Sequence, residues 1–259
     1  MQSADWYDYP QYYDLLFRSE TRLEADFLEA AGRKYCPCPV RTLFEPACGS
    51  GRLVAEMARR GYRVSGLDLN EPALAYLRQR LARRQLSATV CQGDMADFAL
   101  PRPADAGYCL VNSFRHLLSE QAARRHLECV ARNLRPGGVY VLGFHLLPPD
   151  ADEECIERWA ERHGRTRVSG TLRVLACSRR RRVERIRISL LVRTGRRELR
   201  LRSEFDLRIY TAGQFRRLLR SVPALELCGV YDFWYDIAEP LKLTDELGDA
   251  VFVLRRVSD

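Results

Sequence analysis

A chain of 259 residues is long enough for one well-buried α/β domain with an insertion, or for two small domains. Hydrophobic residues make up 46% and charged residues 29%, which excludes a disordered chain. The net charge of +8 is almost wholly arginine, with lysine only at Lys34 and Lys242, and reads as a solvated basic surface before it reads as a polyanion site.

No apolar run approaches the ~18 residues of a membrane span, and residues 1–13 are acidic and aromatic, unlike a signal peptide. The expectation is a soluble, cytoplasmic protein without membrane contact. Nine cysteines, scattered apart from Cys36 and Cys38, read as reduced, mostly buried small hydrophobes. With no second pair and no nearby histidine they suggest no metal site.

Up to about Lys34 a Tyr-rich start leads into an amphipathic stretch with Leu23, Phe27 and Leu28 on one helical face. From Arg41 to about Pro148, short apolar runs alternate with helical patterns, as successive βα units do. The runs cover residues 40–44, 63–67, the neighbourhood of Val90, 108–111 and 139–144. Between them residues 52–60 predict a helix, and Asn70 caps another with Pro72 in its first turn. Ser119 opens a third helix, closed by Arg135-Pro136-Gly137-Gly138.

The period then changes. Ile186, Ile188, Leu190 and Val192 alternate with arginines, Thr194-Gly195 marks a turn, and Leu199, Leu201, Phe205 and Leu207 alternate with Arg200, Arg202, Asp206 and Arg208. This predicts an antiparallel hairpin with one apolar face, joined by a further strand at about 171–176. Thr211 to Gln214 forms a capping box for a short helix, and residues 225–231 and 250–254 supply two last strands. The expected architecture is a doubly wound, seven-stranded α/β sheet over residues 35–259. An inserted antiparallel β arm lies at about 165–210, and residues 1–34 form an N-terminal helical cap.

Candidate chemistry sits at the strand ends, where doubly wound sheets bind ligands. Leu43 to Gly51 reads Leu-Phe-Glu-Pro-Ala-Cys-Gly-Ser-Gly, so Glu45, Ala47, Cys48, Gly49 and Gly51 form a strand-to-helix loop where the backbone can approach a ligand. Val54 stands where a dinucleotide fingerprint needs a third glycine. Asp68, followed by Leu69, can accept from both hydroxyls of a ribose. Asp94 and Met95 offer an acceptor and a flat contact to an adenine. The fourth run ends in Val111-Asn112-Ser113-Phe114-Arg115-His116, where Asn112 can hydrogen-bond an acceptor and His116 can take a proton near neutral pH. His145 is a weaker candidate of the same kind.

These residues resemble class I S-adenosylmethionine (SAM)-dependent methyltransferases, in particular the small-molecule, deoxyamino-sugar type of N-methyltransferase, across nearly the whole chain. Tyr9-Pro-Gln-Tyr12-Tyr13-Asp14-Leu15 is similar to that group's N-terminal segment over the cofactor, Glu45–Gly51 to its motif I, and Asn112–Leu117 to its SS-x-GHL-type segment, with Arg115 in place of glycine. The resemblance implies a Rossmann-like fold and SAM as cofactor. It also implies methyl transfer to a small nucleophile, nitrogen before oxygen, with His116 as base and Tyr13 and Asn112 positioning the acceptor. The arm would cover the pocket or pair with a second subunit through its apolar face. An adenine-N6 nucleic-acid methyltransferase ranks lower, because the Asn/Asp-Pro-Pro-Tyr/Phe segment that grips a flipped base is missing. A non-catalytic SAM-binding protein is the third reading.

Overall fold

The computed structural model describes residues 2–3 and 6–257. The chain opens with a short strand, β1 (Gln2–Ser3), a 3-10 turn (Trp6–Asp8) and the helices α1 (Pro10–Leu16) and α2 (Thr21–Tyr35). Alternating units follow: β2 (Thr42–Pro46), α3 (Arg52–Arg59), β3 (Arg63–Asp68), α4 (Glu71–Arg83), β4 (Thr89–Gln92), β5 (Ala104–Cys109), α5 (Glu120–Asn133) and β6 (Leu134–His145). Four long strands come next: β7 (Ile156–His163), β8 (Thr166–Ser178), β9 (Val183–Thr194) and β10 (Arg197–Arg208). The chain closes with α6 (Ala212–Arg220), β11 (Leu225–Tyr231) and β12 (Asp249–Arg256).

The main sheet has the order β11-β12-β6-β5-β2-β3-β4. β2 to β6 pair in parallel, and β12 runs antiparallel to both β6 and β11. Helices cover both faces: Phe215 and Leu218 of α6 with Leu127 and Val130 of α5 on one, Phe27, Leu53 and Leu77 of α2, α3 and α4 on the other. The predicted caps form: Asn70 Oδ1 accepts from Ala73 N–H, Ser119 Oγ from Ala122 N–H, and Thr211 and Gln214 cap reciprocally. Among the described residues, no helix is long and apolar enough to cross a membrane.

Three local expectations change. Arg135 to Gly138, expected to end a helix, form a bulge inside β6, where Leu134 and Val139 pair with Ala104 and Ala106. Leu23 is 43% exposed; the buried face of α2 is Glu24, Phe27, Leu28 and Ala31. The stretch 1–34 also divides in two. α1 packs on the arm, whereas α2 packs beneath the main sheet against α3 and β6.

The arm is a second sheet, ordered β1-β10-β9-β8-β7, antiparallel except that β1 joins β10 in parallel. Its inner face (Ile186, Ile188, Leu190, Leu201) is covered by Trp6, Leu15 and Leu16 of the same chain. The apolar surface expected to meet a second subunit is therefore already occupied. The β7 edge carries Glu157, Arg158, Glu161 and Arg162, charges of the kind that discourage strand addition.

Candidate active site

The ends of β2 and β3 open into a cavity of about 400 Å³. Its floor is the loop 47–51, which takes left-handed backbone at Ala47 (φ 57°), Gly49 (φ 52°) and Gly51 (φ 65°). The two glycines serve different ends. A Cβ on Gly49 would meet nothing within 4 Å, and Gly49 lines the cavity with Ala47 and Cys48. A Cβ on Gly51 would lie 2.2 Å from Leu77 Cδ1, so this glycine lets α3 pack on α4 and does not itself line the cavity.

Asp68 closes one side. Its Oδ2 accepts from Gly49 N–H at 2.7 Å and its Oδ1 from Asn70 N–H at 2.8 Å, so two backbone amides fix the carboxylate and leave lone pairs for a ligand. Burial raises its pKa against the pull of those amides. Leu69, 65% exposed, lies at the cavity wall with Met95. Asp94 stands between the lining residues Gly93 and Met95, but its own Oδ1 accepts from Ala96 N–H at 2.8 Å, and it is not itself among the lining residues.

At the other end, Glu45 is buried and its Oε2 has no hydrogen-bond partner among the described residues. Burial pushes its carboxyl well above the usual range, with the nearby Arg52 pulling the other way. Arg52 is held from behind by Glu24, through Nη1–Oε2 and an Nη2–Oε1 bond of 2.7 Å. The Tyr13 phenol lies in the field of the same charges, and burial raises its pKa. A carboxylate oxygen kept unpaired in such a place favours a cationic ligand group.

A second cavity, of about 750 Å³, lies between the arm, α1 and the ends of β5 and β6. Tyr7, Tyr13, Ser113 and His116 line both cavities. Val111 (φ 57°) and Asn112 (φ 68°) sit at the turn after β5 in left-handed backbone, which Asn tolerates but the β-branched Val111 does not favour, the kind of strain that collects at functional sites. Both line only the larger cavity. Asn112 Oδ1 accepts from His145 N–H at 2.9 Å, which ties the ends of β5 and β6 together. His145 lines the same cavity and bonds Asp249 through Nδ1 at 2.7 Å.

His116 Nε2 lies 2.9 Å from the Tyr7 hydroxyl, and its ring stacks on Phe205. Burial, then the charge of Arg115, lowers its pKa to about 4, so the imidazole is neutral at pH 7. Arg115 is 5% exposed; its Nε donates to Arg208 O at 2.9 Å and its Nη2 to Glu184 at 2.6 Å. Where the group it resembles has glycine, this chain has a guanidinium lining the larger cavity.

Of the thirteen site residues expected from sequence, Gly51, Asp94, Val111 and Asn112 stand outside the smaller cavity, while Tyr13 and His116 stand where the two cavities meet. Sequence reasoning did not single out Tyr7, Arg52 or Ser113. Arg52 follows directly on the glycine loop, a position that signals it; Tyr7 had only the aromatic density around it.

Residues 44–138 match the methyltransferase-domain family. The chain is 31% identical over 183 residues to the dTDP-3-amino-3,6-dideoxy-α-D-glucopyranose N,N-dimethyltransferase of Streptomyces fradiae, covering 70% of this chain and 69% of the relative. It is 30% identical over 172 residues to the dTDP-3-amino-3,4,6-trideoxy-α-D-glucopyranose N,N-dimethyltransferase of Streptomyces venezuelae, covering 64% and 70%. The crystal structure of DesVI from S. venezuelae superposes with a TM-score of 0.79 at 19% identity, covering all of both chains. The chain belongs to the SAM-dependent methyltransferase family, and SAM is its cofactor. The residues present fit that group. Glu45 Oε2 lacks the donor that an ammonium supplies, and Asp68 keeps acceptor sites for ribose hydroxyls.

Proposed function

We propose that this protein transfers the methyl group of SAM to an amine nitrogen of a small-molecule acceptor held in the larger cavity. The observation that carries the reading is the junction itself: Tyr7, Tyr13, Ser113 and His116 bound the cofactor cavity on one side and a second, roomier cavity on the other. Both curated relatives are named as N,N-dimethyltransferases of amino sugars, which supports nitrogen over oxygen.

Bound SAM supplies a methyl carbon already activated by its sulfonium. What the chain must add is alignment, exclusion of water and a neutral amine. Glu45, with Arg52 behind it, and Asp68 hold the two ends of the cofactor. The buried junction presents the neutral His116 imidazole, bonded to the Tyr7 hydroxyl, and no carboxylate of its own, so desolvation there would favour the unprotonated form of an amine. The proton that the methylated amine must lose would leave by way of the Tyr7–His116 hydrogen bond. A pKa of about 4 makes His116 a relay to solvent and a poor proton store, a narrower role than a standing base. Tyr13 closes the junction, and the Asn112 amide faces the acceptor cavity.

Five of the arginines of β9 and β10 are already neutralised, which weakens a nucleic-acid reading of those strands. Arg185, Arg187, Arg193, Arg200 and Arg202 are all paired with Asp206, Glu198 or Glu204. The nine unpaired cysteines suit a reducing cytoplasm.

Methylation of a panel of amino sugars with labelled SAM tests the reading. Tyr7→Phe and His116→Ala should each lower kcat by about 10²-fold while S-adenosylhomocysteine binds within about twofold of wild type. Unchanged rates in both variants, or label found only on hydroxyl oxygen, would refute it.

A further inference from the structure

The larger cavity carries its buried charges as one pair. Glu20, Glu157 and Arg158 line it with exposed side chains, and Glu161 is partly exposed. The side chains of Arg115 and Glu184 are only 6% and 13% exposed, and a 2.6 Å bond joins Nη2 of the one to Oε1 of the other. Glu184 follows the alternation of β9: with Ile186 and Ile188 it leaves the strand on the inner face, opposite Leu207 of β10. Ile186, Ile188, Leu207, Leu172 and Val174 line the same cavity, so the carboxylate interrupts an apolar stretch of its wall.

Each partner keeps hydrogen-bonding capacity in reserve. Of the five N–H groups of Arg115, one donates to Arg208 O at 2.9 Å, one to Asn112 Oδ1 at 3.4 Å and one to Glu184, which leaves one on each Nη. The bond to Glu184 uses Oε1, so Oε2 remains an acceptor. An apolar pair of similar volume would tie the arm to the 3-10 turn Ser113–His116 about as firmly, because burying two charges costs roughly what their attraction returns. The pair therefore calls for a reason other than stability. A donor and an acceptor side by side, with charges that cancel, suit a neutral hydroxyl; a phosphate would meet Glu184 and an ammonium would meet Arg115.

Resting on the amine reading above, we infer that Arg115 and Glu184 determine acceptor specificity by holding a hydroxyl of an amino sugar whose amine lies at the junction. The hydroxyl oxygen accepts from the Arg115 guanidinium, and the hydroxyl donates to Glu184 Oε2. The group this chain resembles has glycine at the position of Arg115 and no guanidinium to offer there. The two relatives are named for 3,6-dideoxy and 3,4,6-trideoxy amino sugars. The acceptor of this chain keeps a hydroxyl that those sugars have lost.

The test is calorimetric titration of the full chain, loaded with S-adenosylhomocysteine, with 3-amino-3-deoxyglucose, 3-amino-3,6-dideoxyglucose and 3-amino-3,4,6-trideoxyglucose. Each is offered as the methyl glycoside and as the dTDP-linked sugar. In whichever form binds, the sugar with both hydroxyls should bind about 10- to 100-fold tighter than the trideoxy sugar, the worth of a hydrogen bond to charged partners. In the double variant Arg115→Met, Glu184→Leu that preference should fall to within about twofold while S-adenosylhomocysteine affinity holds. Glu184→Gln keeps the shape of the tie and should still lower the preference by at least about threefold, which a purely structural role would leave unchanged. Equal binding across the series by the wild type, or a preference that survives both variants, would overturn the inference. Labelled methyl on the amine nitrogen without any hydroxyl preference would remove it alone and leave the amine reading standing. If no sugar of the series, in either form, is bound or methylated, both readings fall.

Discussion

Two histidines ten positions apart are both pushed to about 4 by burial, and they do different work. His126, fully buried on α5, donates through Nδ1 to Met95 O at 2.8 Å and accepts the Tyr140 hydroxyl at Nε2 at 2.9 Å, which steadies the turn that carries Met95. Because its folded pKa lies below the ordinary 6.5, the unfolded chain binds the extra proton first. The stability it confers is complete above pH 6.5 and is lost as pH falls toward 4, by about 3 kcal/mol for the full shift. His126→Phe should be less stable than wild type at pH 7 by about 2 kcal/mol, having stranded two polar partners. That gap should close between pH 6.5 and 4 in denaturant titrations. A gap constant across that range would mean that the imidazole is not held neutral. At this scale sequence told the two histidines apart poorly. His126 carried no signal, because its partners Met95 and Tyr140 lie on other elements, while the glycine loop and Asp68 were legible as a short continuous motif whose backbone does the binding.

At the scale of elements, the helix caps were readable because their chemistry lies within four residues. The strands were harder. β5 begins at Ala104-Asp-Ala-Gly, residues with little strand preference, and is buried throughout only because it lies at the centre of a parallel sheet. β7 is an exposed charged edge without an apolar rhythm, so only its partner β8 and the cavity beneath reveal it. The contact between α3 and α4 gives a sharp prediction. Gly51→Ala puts a methyl group into Leu77 and forces a left-handed alanine, so it should cost about 2–4 kcal/mol in stability. Gly49→Ala bears only the backbone strain, about 1 kcal/mol, and should instead weaken S-adenosylhomocysteine binding. Equal losses of stability in the two variants, measured by thermal unfolding, would show that the helix contact does not decide.

On the scale of the whole molecule, the alternating βα texture gave the sheet and the change of period gave the arm. What sequence did not give was which surface the arm's apolar side meets, since a one-sided sheet states its need for a cover without naming it. The cover is the chain's own first helix. A chain lacking residues 1–17 should therefore expose Ile186, Ile188, Leu190 and Leu201 together, bind a hydrophobic dye, and self-associate in light scattering. A truncated chain that stays monomeric and dye-silent would show that the arm's inner face is covered some other way.

The hydrogen bond from Trp6 N–H to Ser203 Oγ joins residues 197 positions apart, and β12, whose last residue is Arg256, is the strand that links β6 to β11 in the main sheet. During synthesis, then, Trp6 leaves the ribosome long before its partner Ser203 exists. A product terminated before Ser203 would lack β11 and β12 of the main sheet and the contact that seats Trp6 on the arm, leaving the junction between the two cavities open to solvent.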